Sequence, residues 1–170
     1  MPRIEVCALS RIEEVAHAAG ARSMVTLIND SSTVARPKTI APERRLQLSM
    51  SDITAPLDGH VSPEESHVAQ LLDFVRAWDR AQPLLIHCYA GVSRSTAAAF
   101  IAVCALKPEA PESELAQRIR ALSPTATPNA RLVALADDML GRQGRMSAAV
   151  EAIGRGADCF EGVAFALALD

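Results

Sequence analysis

His87-Cys88-Tyr89-Ala90-Gly91-Val92-Ser93-Arg94-Ser95-Thr96 is the stretch that decides how this chain is read. A cysteine stands six positions before an arginine, and a glycine sits between them. The apolar run Pro83-Leu84-Leu85-Ile86 ahead of it reads as a strand, and the alanine-rich run Ala97 to Leu106 behind it reads as a helix. A strand feeding a tight loop that opens a helix is suited to hold an oxyanion. Loop N–H groups point inward, and the helix N-terminus adds partial positive charge. A cysteine at the foot of such a cradle is placed to ionise and attack a phosphorus atom held there.

The chain has 170 residues, the size of one ordinary domain. With 49% hydrophobic and 22% charged residues it can bury a full core. Only 4% is aromatic, so alanine, leucine, isoleucine and valine must fill that core. A net charge of -3 argues against nucleic acid as a partner, since phosphate-backbone binding needs a basic face. Four widely spaced cysteines (Cys7, Cys88, Cys104 and Cys159) and no signal-like leader suggest reduced thiols in a cytoplasmic protein. The general style of the composition suggests a bacterial source. No apolar stretch approaches the roughly 20 residues needed to cross a bilayer, so no membrane partner is expected. No Cys/His cluster suggests a metal, and no cofactor is implied. Nothing in the pattern sets an oligomeric state.

Outward from the loop, strands and helices alternate. Ile4 to Leu9 reads as a strand. Ser10-Arg11-Ile12-Glu13 reads as a capping box opening a helix that Gly20 ends. Ser23 to Ile28 and Arg45 to Met50 are further strands. The first is followed by the turn residues Asn29 and Asp30, and the second ends at Ser51-Asp52. Ser62-Pro63-Glu64-Glu65 predicts a helix start with proline at its first position. Val68, Leu71, Leu72, Val75 and Trp78 form its apolar stripe. Pro111-Glu112-Ser113-Glu114 opens another helix, with Leu115, Ile119 and Leu122 facing inward. Asn129 caps one running to Leu140. The expected architecture is α/β: a mainly parallel central sheet flanked by helices, in one domain over 1–170. Its core spans about 4–140, and 141–170 is an extension packed on it, with a helix near Ser147–Ile153 and an apolar tail, Val163 to Leu169. Cys88 then lies past the C-terminal end of a central strand, where such sheets bind ligands.

The run His87-Cys88-x-x-Gly91-x-x-Arg94-Ser95 resembles the C-x5-R signature of cysteine-based phosphatases of the dual-specificity and protein-tyrosine type. Arg118-Ile119-Arg120 followed by Pro128-Asn129 resembles the arginine-rich helix and Pro-Asn turn of the dual-specificity branch, and Asp52 stands where the family's general acid lies. The resemblance implies a dual-specificity-like fold and a phosphomonoester hydrolase with a phosphocysteine intermediate. Its substrate would be a phosphorylated protein or a small-molecule phosphomonoester.

Cys88 would be the nucleophile. Arg94 would grip two phosphoryl oxygens. Ser95 would donate to the departing thiolate, and Gly91 would let the backbone approach the anion. Tyr89, Ala90, Gly91, Val92, Ser93 and Arg94 form the substrate-binding loop, with the side chains of Tyr89, Ala90 and Val92 at its mouth. His87 is expected to be buried and to orient the loop, and Asn129 to cap a helix and steady the loop. Asp52 is the first choice for general acid, Asp58 its rival and Asp30 a distant third. The inositide-directed branch tends to carry lysines inside the loop. This loop has none, which weighs against phosphoinositide and phytate substrates. Two other classes remain open: rhodanese-like sulfur transfer or arsenate reduction on the same cradle, and a phosphate-recognising module without catalysis. Cys7 and Cys104 read as inert, the Arg44-Arg45 pair as a solvated face, and His17, His60 and His67 as solvated.

Overall fold

The apolar runs that read as strands alternate in the direction they face, and that alternation builds two unequal layers. The computed structural model describes residues 1–170. Strands β1 (Arg3–Cys7), β2 (Ser23–Ile28), β3 (Arg45–Ser49), β4 (Leu84–His87) and β5 (Phe165–Ala168) form one sheet in the order β3-β2-β4-β1-β5. The first four are parallel, and β5 runs antiparallel along β1. Ile4, Val6, Val25, Leu27, Leu84 and Ile86 point to one face, into a core of 34 buried residues. Cys7, Met24, Ile28 and Leu85 point to the other, into a cluster of nine. This period of two is the pleat of a strand.

Helix α1 (Ile12–Ala19) covers the smaller side, helped by Val34 and Ile40 from the 29–43 loop. The larger side carries α2 (Glu65–Ala77), α3 (Arg94–Leu106), α4 (Glu112–Leu122), α5 (Ala130–Met139) and α6 (Arg145–Ile153). Helix α3 lies at their centre, against β1, β4, α2, α4 and α5. Every residue from Arg94 to Cys104 is buried, so no face of that span meets water. Its alanines at 97, 98, 99 and 102 explain how: small side chains let neighbours approach from all sides, and alanine is the best helix former.

Several local expectations are corrected. Ser10 does not cap α1; Arg11 holds that position, and the Ser10 hydroxyl instead donates to Glu161 Oε1 at 2.6 Å. A tertiary partner 151 residues away outcompetes the local capping box. Helix α2 starts at Glu65, two residues beyond Pro63, with His67 Nδ1 accepting from the Glu64 N–H at 3.0 Å. His67 is therefore part of a helix start. His60 Nδ1 lies 3.1 Å from Ser51 Oγ, so it too has a partner. Leu122, at the end of α4, is exposed. Arg45 is not simply solvated, because its Nε is buried without a partner. The segment past residue 140 does more than pack on a finished core: α6 joins α4 and α5, and β5 completes the sheet.

One buried charge pair ties this segment down. Arg142 donates to Glu112 Oε1 at 2.7 Å and also bonds the Cys104 carbonyl, and both side chains are almost wholly buried. Removing Arg142 leaves the buried Glu112 carboxylate with only the half-exposed Arg145, and leaves the Cys104 carbonyl without that donor. Arg142→Ala is expected to lower stability by about 2–3 kcal/mol, less than for a charge left with no partner, read as a fall in the urea midpoint at unchanged slope. Arg145→Ala, which removes a half-exposed partner of the same carboxylate, should change stability by less than about 1 kcal/mol.

Candidate active site

Strand β4 ends at His87, and α3 begins at Arg94, so the chain must turn within six residues. The turn is possible because Gly91 adopts φ +72°, a left-handed conformation that L side chains rarely adopt. The close approach there is to the end of β1: a Cβ on Gly91 would lie 2.8 Å from Cys7 C and Ala8 N. The Leu9 N–H donates to the Tyr89 carbonyl at 3.0 Å, stitching the loop to the same strand end.

Cys88 lies at the foot of this loop, with its Sγ 3.1 Å from Ser95 Oγ and accepting from the Gly91 N–H at 3.3 Å. Ser95 is fully buried in the first turn of α3. Arg94 is 5% exposed. One end of its guanidinium is fixed: Nη1 donates to Asn29 Oδ1 at 2.7 Å and to the Met50 carbonyl at 2.9 Å. Its Nε is buried and donates to no protein group. Ser93 Oγ donates to Asp52 Oδ1 at 2.7 Å, and Asn129 Nδ2 donates to the same oxygen at 2.9 Å. Asn129 Oδ1 also accepts from the Leu132 N–H at 3.0 Å, as a helix cap does. Asp52 is thus tied to the loop directly through Ser93 and indirectly through Asn129, whose N–H donates to the Ser93 carbonyl at 3.1 Å. Asp52, Asp58 and Asp30 are all exposed, and of the three only Asp52 makes such bonds. Tyr89 is exposed at the rim, with Ala90 and Val92 half-buried beside it.

His87 faces the opposite side of the sheet from Cys88. It pairs across the strands with Thr26, its Nε2 lying 2.9 Å from Thr26 Oγ1 and its Nδ1 3.0 Å from the Cys88 carbonyl. Burial pulls its pKa down from 6.5 to about 4, against the raising effect of the hydrogen bond to Cys88, with Arg45 and Arg94 lowering it further. It is a neutral ring bracing the loop. In the same layer, burial pushes the Cys7 thiol up to about 12, and that of Cys104 on α3 to about 12 as well.

Sequence reading did not assign roles to Asn29, Met50 and Thr26. Asn29 was legible only as a turn residue. The usable signal was its place just past a strand that neighbours β4, where such sheets build their sites.

A cysteine cradle of this kind, at the C-terminal end of a central parallel strand, places the chain among the phosphatase-like α/β folds. Human DUSP28 superimposes with a TM-score of 0.63 at 17% identity, covering 82% of this chain and 92% of that one. DUSP15 gives a TM-score of 0.61 at 16% identity over 89% and 92%. PTPMT1 in complex with PI(5)P gives 0.59 at 15% identity over 82% and 90%. The fold is that of the dual-specificity phosphatases, as the motif implied. By sequence, the PTP-like phytase family, described as "Inositol hexakisphosphate", matches residues 9–105, more than half of the chain, and the chain belongs to that family. No curated protein matches it by sequence. No helix is long and apolar enough to cross a membrane.

The depressed pKa of His87 sets the sign of a pH effect. Below about pH 6.5 the unfolded chain binds a proton that the folded chain refuses until about pH 4. Stability contributed by the neutral ring is therefore present above that window and lost as pH falls through it, by up to about 3 kcal/mol. Urea unfolding at pH 7 and pH 4.5 should show this loss in the wild type and a smaller one in His87→Gln.

Proposed function

We propose that the protein is a phosphomonoester hydrolase that works through a phosphocysteine at Cys88. The observation that carries this reading is the convergence on one loop of a sulfur, a half-anchored guanidinium and a carboxylate. Cys88 Sγ touches Ser95 and the Gly91 amide, Arg94 Nε is buried and unpartnered, and Asp52 is held by Ser93 and Asn129.

Chemistry follows from position. The phosphoryl group sits against the loop amides and the free edge of Arg94, whose donors meet two of its oxygens. The Cys88 thiolate attacks phosphorus, the phosphorus–oxygen ester bond breaks, and the leaving alkoxide or phenoxide takes a proton from Asp52. Both donors to Asp52 fall on Oδ1, leaving Oδ2 without a protein donor and able to carry that proton. In the second step Asp52 takes a proton from water, the oxygen attacks phosphorus, and the cysteine leaves as a thiolate eased by Ser95. His87 braces the loop and moves no proton.

A second reading, that the substrate is inositol hexakisphosphate, is favoured by the family match over residues 9–105. The loop pulls the other way, because Tyr89, Ala90, Val92 and Ser93 supply no cation for further phosphates. Comparing turnover of that substrate with a simple aryl phosphate separates the two. Sulfur transfer would show itself in a thiosulfate–cyanide assay. A non-catalytic module would bind a phosphopeptide without turnover.

Cys88→Ser is expected to abolish hydrolysis of para-nitrophenyl phosphate, by at least about a thousandfold; unchanged turnover would overturn the reading. Asp52→Asn should slow phenyl phosphate, with its poor leaving group, by about 10²–10⁴-fold, and para-nitrophenyl phosphate much less. Equal slowing would remove Asp52 from the role of acid, and the same pair of substrates with Asp58→Asn would then test its rival.

A further inference from the structure

The loop mouth does not end at Asp52. A cleft of about 260 Å³ runs beside it, lined by Asp52, Ala90, Val92, Thr127 and the segment Arg155 to Cys159. Thr127 and Arg155 also wall a second, larger cavity of about 590 Å³ between α5 and α6. The two spaces therefore adjoin, with Thr127 and Arg155 shared between their walls. The larger one is lined chiefly by apolar groups, among them Pro128, Ala130, Val133, Ala134 and Val150. Its volume falls within the range of sites that accept a ligand group.

The charges along this path are few and mostly negative. Arg155 is its one cation, and that guanidinium is engaged by Asp158 at 2.7 Å. Asp52 and Glu151 add further carboxylates. A polyphosphorylated ring laid here would find one arginine, already paired with Asp158, and no other cation to neutralise its further phosphates. A ligand that suits the path has one phosphoryl group at the cradle, a polar neutral connection across the narrow cleft, and an apolar group at the far end.

We propose that the α5–α6 cavity is a specificity pocket for a phosphopeptide, taking an apolar side chain near the phosphorylated residue while the phosphoryl group occupies the Cys88 cradle. A peptide has the required pattern: a charged phosphoester, a hydrogen-bonding backbone and an apolar side chain a fixed number of residues away. The proposal rests on the phosphatase reading and names its substrate class.

The test uses two sets of short peptides in a serine–glycine background, one with phosphotyrosine and one with phosphoserine. A single leucine is moved from three residues before the phosphorylated position to three after. At one position the leucine should raise kcat/KM about tenfold over the leucine-free peptide, equal to about 1.4 kcal/mol. Ala134 is exposed on α5 and outside the catalytic machinery, so Ala134→Glu should fold normally. That variant should erase the leucine gain and leave para-nitrophenyl phosphate turnover unchanged. A flat leucine scan with para-nitrophenyl phosphate turnover intact overturns the pocket and leaves the phosphatase reading standing. Turnover of inositol hexakisphosphate faster than that of any peptide also overturns it. If the wild type hydrolyses nothing, the phosphatase reading falls. Peptide binding to Cys88→Ser, followed by fluorescence polarisation, then decides whether the leucine preference survives as recognition alone.

Discussion

A guanidinium that is nine-tenths buried has to find acceptors, because its charge cannot shed water without them. Arg94 meets this demand at the ends of two strands: Asn29 follows β2, and Met50 follows β3. Both can reach it only if β2, β3 and β4 end at the same level, which the parallel registers Thr26↔His87 and Leu27↔Leu48 provide. The fourth parallel strand, β1, is fixed to the loop differently, through the close approach of Gly91 to Cys7 and Ala8. The cradle is thus the place where all four parallel strand ends meet. A change that shifts any of them moves the guanidinium relative to the sulfur.

The C-terminal segment holds the outside of the loop in the same way. The Gly162 N–H donates to the Ala90 carbonyl at 2.7 Å, and a Cβ at Gly162 would come within 2.6 Å of the Gly91 carbonyl oxygen. Ala157 and Val163 are bonded to the 124–125 turn, and Thr127 bonds the Val92 carbonyl. Residues 124–129 are therefore a strut between the tail and the loop, and they deliver Asn129 to Asp52. Strand β5 then anchors the tail to β1. The side chains that give the cleft its walls thus come from segments far apart in the chain.

Two faces of one sheet divide the work. The side with α2 to α6 carries the large core and the buried helix whose N-terminus faces the sulfur. The smaller side carries the supports: His87, kept neutral by burial, and Thr26, which meets it across the strands. The alternation of strand side chains makes this division automatic. Cys88 and His87 are adjacent in sequence and so must face opposite ways.

Much of this was present in local pattern. The strand at 23–28, the helix behind the loop, the end of α1 at Gly20 and the cap at Asn129 follow from apolar spacing and backbone preference, which act over a few residues. The spacing of Cys88, Gly91 and Arg94 likewise raised the expectation of an oxyanion loop, because the residues that suggest it lie within seven consecutive positions. What the tertiary structure decided were the long-range partners. Asn29 and Met50 came to the site from strand ends and Thr26 from within β2, Ser10 went to Glu161, and residues 155–159 came to line the cleft. Each of those outcomes depends on strand order and register, and a side chain's own neighbours in sequence carry no record of either.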